Sequence, residues 1–340
     1  MKASFVAIAV LAVGIAAVAP GVRIQRMREI PFPVARVVAG PSGTLACLDW
    51  ITHTIRVVDF GGEEAKIDVA VPASAQITNI GGGDGQAVIT TARHGTFVLD
   101  ANGSVRARFA ANRFSPYVAA TVDRNTAFGM GSAGDATGKI HAEWLVTRVD
   151  LEAPSNEPKE LVTDSAFADP FARSLYPLGY ILLSSDGKTL YALWEGSSIL
   201  HVIPTRGSAP HAITVTSGDD APPLATPALR ASAMADRDAF YRLRSTYRWP
   251  QGLLRGPGES IAILFREPAS RGNGFTLDLY SPGGKSIASH LAVAIEPRTL
   301  TAHARAVVAT DGRQYILVNE PKADYSGAKH QALYAIEILR

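Results

Sequence analysis

Any chemistry in this chain would rest on acids and imidazoles that stand where apolar runs stop. Asp49, Glu195, Glu267 and Glu320 each close a β-rich run, as in "TLYALWE", "SIAILFRE" and "QYILVNE", and His53, His94, His141 and His330 stand in the loops nearby. Carboxylates and imidazoles that converge can hold a hard cation or act as general acid and base. The spacing is not that of a zinc motif: no His lies three or four residues from another, and no HExxH occurs. The sequence calls for no cofactor, although calcium is compatible with such oxygen donors. A second set pairs aromatics with prolines at the entry to β-runs: Phe32-Pro33, Pro116-Tyr117, Tyr176-Pro177 and Trp249-Pro250. These rings either wedge between neighbouring structural units or surround a ligand. Tyr117, Tyr176, Trp249, Glu195, Glu267 and Glu320 are therefore the candidate ligand-binding residues, and no catalytic or metal residue is assigned.

Other motifs are excluded by context. "GGGDGQ" (81–86) has no Gly-Lys-Ser/Thr after it and reads as a hairpin turn rather than a phosphate loop. "GSAGDATG" (131–138) lacks the strand-to-helix setting of a nucleophile elbow. The arginines at 230, 237, 242, 244 and 248 either clamp an anionic ligand or form a solvated helix face.

The elements that must position these residues are repeated. "PSGTLACLDW", "GDGQAVITTA", "SDGKTLYALWE", "GPGESIAILFRE" and "TDGRQYILVNE" each set a glycine turn before an apolar, alternating run, and "VDRNTAFGMG" is a copy without the glycine. A tight turn followed by such a run is a hairpin's second strand. Each copy is followed by a further strand, such as "TIRVVDF", "SILHVIP" or "FTLDLYS", and many then enter another Gly-containing turn leading to a fourth. Four antiparallel strands recurring at roughly 40–50 residues form the pattern of propeller blades. The last copy stops after its third strand, while "RIQRMREI" stands alone ahead of the first. Pairing the two ends in one blade removes both open edges, so this segment is expected to be the fourth strand of the last blade.

On these turns and runs the chain resembles the six-bladed β-propeller superfamily, the broad group of NHL-repeat proteins and of gluconolactonase-like and strictosidine-synthase-like enzymes. The resemblance spans essentially the whole of residues 22–340 and implies an all-β fold of six four-stranded antiparallel blades in a single domain. In the enzymes of that group it implies an acid, with amides in some, directed into the central channel. By blade position Glu195, Glu267 or Glu320 would supply the acid and Asn79 and Asn319 the amides.

If the first strand of each blade is innermost, strand-entry loops and the ends of second strands share one face. The long insertion at 218–250 enters the fifth blade on that face and is expected to be a lid, with one short helix over 227–245 after Thr226-Pro227. That face is the expected meeting place with a small molecule or protein. The expected function is a non-catalytic binding or interaction propeller; the alternative is a secreted or periplasmic calcium-dependent hydrolase of the lactonase type.

Residues 1–21 carry Lys2 followed by the uncharged run "FVAIAVLAVGIAAVA", which reads as a secretory signal or an N-terminal anchor. Pro20 leaves processing after Ala17 or Gly21, or retention, as alternatives. The protein is expected in the periplasm or outside the cell. No later run is long enough to span a membrane. The net charge of +2 falls to +1 when Lys2 is removed, and no basic tail is present, so nucleic acid is not an expected partner. The lone Cys47 cannot form an intramolecular disulfide and is expected in the core. A monomer is expected.

Overall fold

The computed structural model describes residues 20–40, 43–49, 51–58, 64–67, 71–72, 74–100 except 84–85, 102–135 except 124, 137–295 except 236, 303–320 and 330–339. Residues 1–19, which carry most of the expected export segment, lie outside it.

Six four-stranded antiparallel sheets form the six blades. The innermost strands are Val34–Ala39, Ile77–Gly83, Phe114–Asp123, Gly179–Leu183, Trp249–Arg255 and His303–Val308. In blades 1 to 5 the chain then steps outward strand by strand. Blade 6 is completed by the N-terminal strand Gly21–Glu29, which lies antiparallel to His330–Leu339 from Gly21 opposite Leu339 to Glu29 opposite Ala332.

Burial explains the residue choice. Second strands are clamped between neighbouring blades, and Ile261–Arg266 is buried at every position. Fourth strands face solvent and alternate, as in Val105–Phe109. Innermost strands such as Gly179–Leu183 are half-buried, because one side faces the axis. Apolar side chains gather at the seams between blades. Val34, Cys47, Val307 and Leu317 join blade 1 to blade 6, Leu48 and Ile89 join blades 1 and 2, and Leu193 and Ile263 join blades 4 and 5. Cys47 is buried in that first seam and forms no disulfide. Glutamines bond across the seams as well: Gln331 Oε1 accepts from Val34 N at 3.0 Å, and Gln251 Oε1 from Ala304 N at 2.6 Å. The repeated turn requires left-handed backbone, and Gly187 (φ 70°) and Gly312 (φ 84°) supply it between first and second strands.

Among the described residues, helices occur only in the connections. Helix α1 (Ser165–Ala168) and α2 (Pro170–Leu175) lead into blade 4, while α3 (Pro227–Ala235) and α4 (Arg237–Arg244) lie in the insertion before blade 5. The insertion thus holds two helices where the spacing predicts one. Helices α1 and α2 have a local cause absent from the repeat pattern. Asp164 accepts from Ala166 N at 2.9 Å, and Asp169 accepts from Phe171 N at 2.8 Å with Pro170 at the first helical position. No helix among the described residues is long and apolar enough to cross a membrane.

Candidate functional site

The face expected to carry the site is built around blade 4. Glu195 follows the second strand Thr189–Trp194 and is completely buried. One carboxylate oxygen accepts from Arg244 Nη2 at 2.5 Å and the other from Trp249 Nε1 at 2.8 Å. The Arg244 guanidinium also lies 3.9 Å from the centre of the Trp249 ring. Burial pushes the Glu195 carboxyl up, against the opposing pull of Arg244 and Trp249. Tyr176 packs edge-on against Trp194 and Tyr247, accepts Trp194 Nε1 on its carbonyl at 2.7 Å, and donates its hydroxyl to Pro223 O at 2.5 Å. Two of the candidate aromatics and one candidate acid are therefore joined in a buried cluster that fastens the 218–250 insertion to blades 4 and 5.

Glu267, at the same place in blade 5, enters a second cluster. Its carboxylate receives Arg248 Nε at 2.8 Å and Thr276 Oγ1 at 2.5 Å, with Arg271 Nε at 2.8 Å and His290 Nδ1 at 3.3 Å. Arg248 also makes a bidentate contact with Asp278, at 2.7 and 3.0 Å. Burial alone would lower the affinity of Arg248 for its proton, but Asp278 and Glu267 outweigh it and the net direction is up. Of the insertion's arginines, Arg244 and Arg248 are thus held by carboxylates and Arg230 lies 5.3 Å from the Phe171 ring centre. The Arg237 side chain lies outside the described residues.

The remaining candidates are dispersed. Asp49 accepts from Ile51 N at 2.9 Å and Thr52 N at 3.2 Å and pairs with Arg56 at 3.0 Å. His53 contacts Gln76 at 3.0 Å, His94 contacts Ser74 at 3.4 Å, and His141 stacks on Trp144, so these imidazoles belong to different loops. Glu320 pairs in register with His330, and both side chains lie outside the described residues. Among the described residues no three His, Cys, Asp or Glu side chains meet as a metal cage would require.

Asp49 allows a direct test of this structural reading. Burial opposes its charge, but the two backbone N–H donors, Thr52 and Arg56 win, so its carboxyl is held below the usual carboxylate range. A carboxyl depressed in the folded state stabilises the protein above its unfolded pKa, and that contribution is lost as pH falls through the folded value. Asp49→Asn should therefore cost about 1–2 kcal/mol at neutral pH. The difference from the parent should shrink in melting curves taken toward strongly acidic pH.

The axis holds a different set of residues. A cavity of about 620 Å³ runs along the channel and is lined by Tyr117, Leu178, Tyr180, Arg36, Arg305 and Arg255, among others. No described residue of 218–248 lines it, so the insertion packs beside the opening rather than forming its wall. Among the described candidates Tyr117 alone lines the cavity, and burial pushes its hydroxyl up to about 12. Tyr180, on the innermost strand of blade 4, donates to Pro250 O at 2.9 Å. Arg36 Nε donates to Asn79 Oδ1 at 2.9 Å, and Arg36 Nη1 donates to Ala35 O at 3.0 Å. Arg305 Nη1 donates to that same Ala35 carbonyl. Asn319, the other expected amide, is buried opposite His303 in blade 6.

The channel arginines and Tyr180 are absent from the residues singled out by motif. Their signal is faint: "VARVVA" and "HARAVV" each carry Ala-Arg ahead of apolar residues in an innermost strand, so that an arginine occupies the third position in both.

No protein-family model and no curated protein matches the chain. Similar solved structures are remote in sequence. A member of the DUF4221 family from Bacteroides vulgatus superposes with a TM-score of 0.57 at 11% identity, covering 94% of this chain and 99% of that one. A candidate gluconolactonase gives 0.50 at 10% identity, with 94% of each chain covered. Regucalcin, a calcium-binding protein from Agrobacterium tumefaciens, gives 0.49 at 15% identity, covering 92% of this chain and 93% of that one. At such identities the likeness shows the fold alone. The chain is a six-bladed β-propeller.

Proposed function

We propose that the protein is a non-catalytic binding propeller, exported from the cytoplasm, that receives a small molecule in its axial channel from the face bearing the 218–250 insertion. One observation carries this reading: the Glu195 carboxylate, a foremost candidate acid by blade position, has both oxygens engaged by Arg244 and Trp249 and lies completely buried. A general acid or a metal ligand must reach the atom it serves, and Glu195 is buried outside the lining of the channel cavity. Tyr117 then forms part of the binding wall, while Tyr176, Trp249, Glu195 and Glu267 hold the mouth in shape. A cavity of about 620 Å³ lined by apolar strand residues together with Tyr117, Tyr180, Arg36 and Arg305 has the size of a small-molecule site. Residues 1–21 support export.

The lactonase reading is the alternative, and the fold accommodates both classes. The test is hydrolysis of gluconolactone by the purified protein with and without calcium. No calcium-stimulated turnover is expected, and Glu195→Gln should lower the melting temperature. Turnover abolished by Glu195→Gln or Glu267→Gln would overturn the binding reading. Finding the intact chain in a cytosolic fraction would overturn export.

A further inference from the structure

We infer that the channel is an anion site in which Arg36 and Arg305 together receive a carboxylate or phosphate group of the ligand. This rests on the binding reading above and names its ligand class.

The two arginines stand at equivalent positions of adjacent innermost strands, Val34–Ala39 of blade 1 and His303–Val308 of blade 6. They are close enough to share the Ala35 carbonyl. Arg36 also donates to the neutral amide oxygen of Asn79. No ion pair with a carboxylate forms at either guanidinium among the described residues. The acid whose charge reaches Arg36 is Glu195, and its oxygens already belong to Arg244 and Trp249. Asp186 also borders the cavity, but at the opposite end, in the turn after Leu183, where it bonds Ser184 and Lys188.

Two like charges held together, each half-buried in the channel wall, are costly without a counter-charge. The Arg305 group shows the strain: burial first, and Arg36 next, push it down to about 9, which still leaves it charged at neutral pH. Arg36 is displaced in the same direction, chiefly by burial. An oxyanion between the guanidiniums reverses the repulsion and receives charge-assisted, geometrically matched N–H donors. Tyr180 and Tyr117 line the same cavity, and Leu178 adds apolar surface for the body of the ligand. A small organic acid or a phosphorylated small molecule fits this arrangement, whereas a neutral ligand would leave both charges uncompensated.

The test is calorimetric titration of the full processed protein at low ionic strength with inorganic phosphate, succinate and the uncharged analogue succinamide. Binding of phosphate or succinate is expected, the stronger of the two identifying the group preferred, with no binding of succinamide. Arg36→Gln and Arg305→Gln should each weaken the anion by about tenfold or more. Arg93→Gln, at an exposed turn, should leave it unchanged. Either channel variant should also raise the melting temperature of the ligand-free protein, because repulsion is removed; a purely structural arginine would lower it. The inference is overturned if neither anion binds, if the double variant binds them as well as the parent, or if both single variants melt lower with anion affinity unchanged. Equal affinity for succinamide in the channel removes the anion preference and leaves the binding propeller standing. Calcium-dependent lactone hydrolysis removes both.

Discussion

Arg248→Met is expected to cost about 3–5 kcal/mol of folding stability, as read from the denaturant midpoint. Arg248 is almost fully buried and joins Glu267 to Asp278 through three of its nitrogen donors, counting the 2.8 Å contact to one acid and the bidentate pair at 2.7 and 3.0 Å to the other. It also stacks 4.1 Å from the Phe265 ring centre. Methionine retains much of the packing but strands two buried carboxylates, of which Glu267 keeps Arg271 and Asp278 keeps the His290 N–H. The loss should therefore be larger than for an exposed pair, where the typical contribution is below about 1 kcal/mol. Stranded carboxyls have raised folded-state pKa values, so the variant should regain stability relative to the parent as pH falls and they take up protons. Adding Asp278→Asn to Arg248→Met should recover part of the deficit, because the two changes share one network. A loss below about 1 kcal/mol, or strict additivity, would show that this buried cluster does not hold blade 5 together.

Deletion of residues 1–29 should abolish the folded monomer. The deletion removes the whole of Gly21–Glu29 and leaves the edge of His330–Leu339 without its partner. It also takes Val22 and Ile24 from the seam they share with Leu254, Leu279 and Ile336. An exposed flat edge of ten residues is a template for pairing with other chains, so aggregation or swapped oligomers are expected in size-exclusion chromatography. Deletion of residues 1–19 should, by contrast, leave a folded monomer with an unchanged melting temperature. The contrast separates residues 1–19 from the closing strand, which begins at Gly21. A monomeric 30–340 fragment melting like the parent would mean that closure contributes little.

The sequence by itself determined the architecture because its signals are local and repeated. A turn glycine such as Gly187 or Gly312 must accept positive φ, and the alternating run after it belongs to a strand whatever lies elsewhere. Five such copies, a sixth without the glycine and an unpaired segment at 23–30 specify the blade number and the closure, and the apolar neighbours of Cys47 place it in a seam. Side-chain destinations at the ends of those strands were not legible in the same way. Glu195 and Glu267 look like free channel acids until the insertion before blade 5 delivers Arg244 and Arg248 to them, across 49 and 19 residues of chain. Arg36 and Arg305 read as ordinary strand arginines. They meet at one carbonyl across 270 residues, the separation between Ala35 and Arg305, only because ring closure makes the first and last blades neighbours. Tertiary structure alone decided which charges are paired and which are left facing the channel, since that depends on contacts between blades that no local pattern encodes.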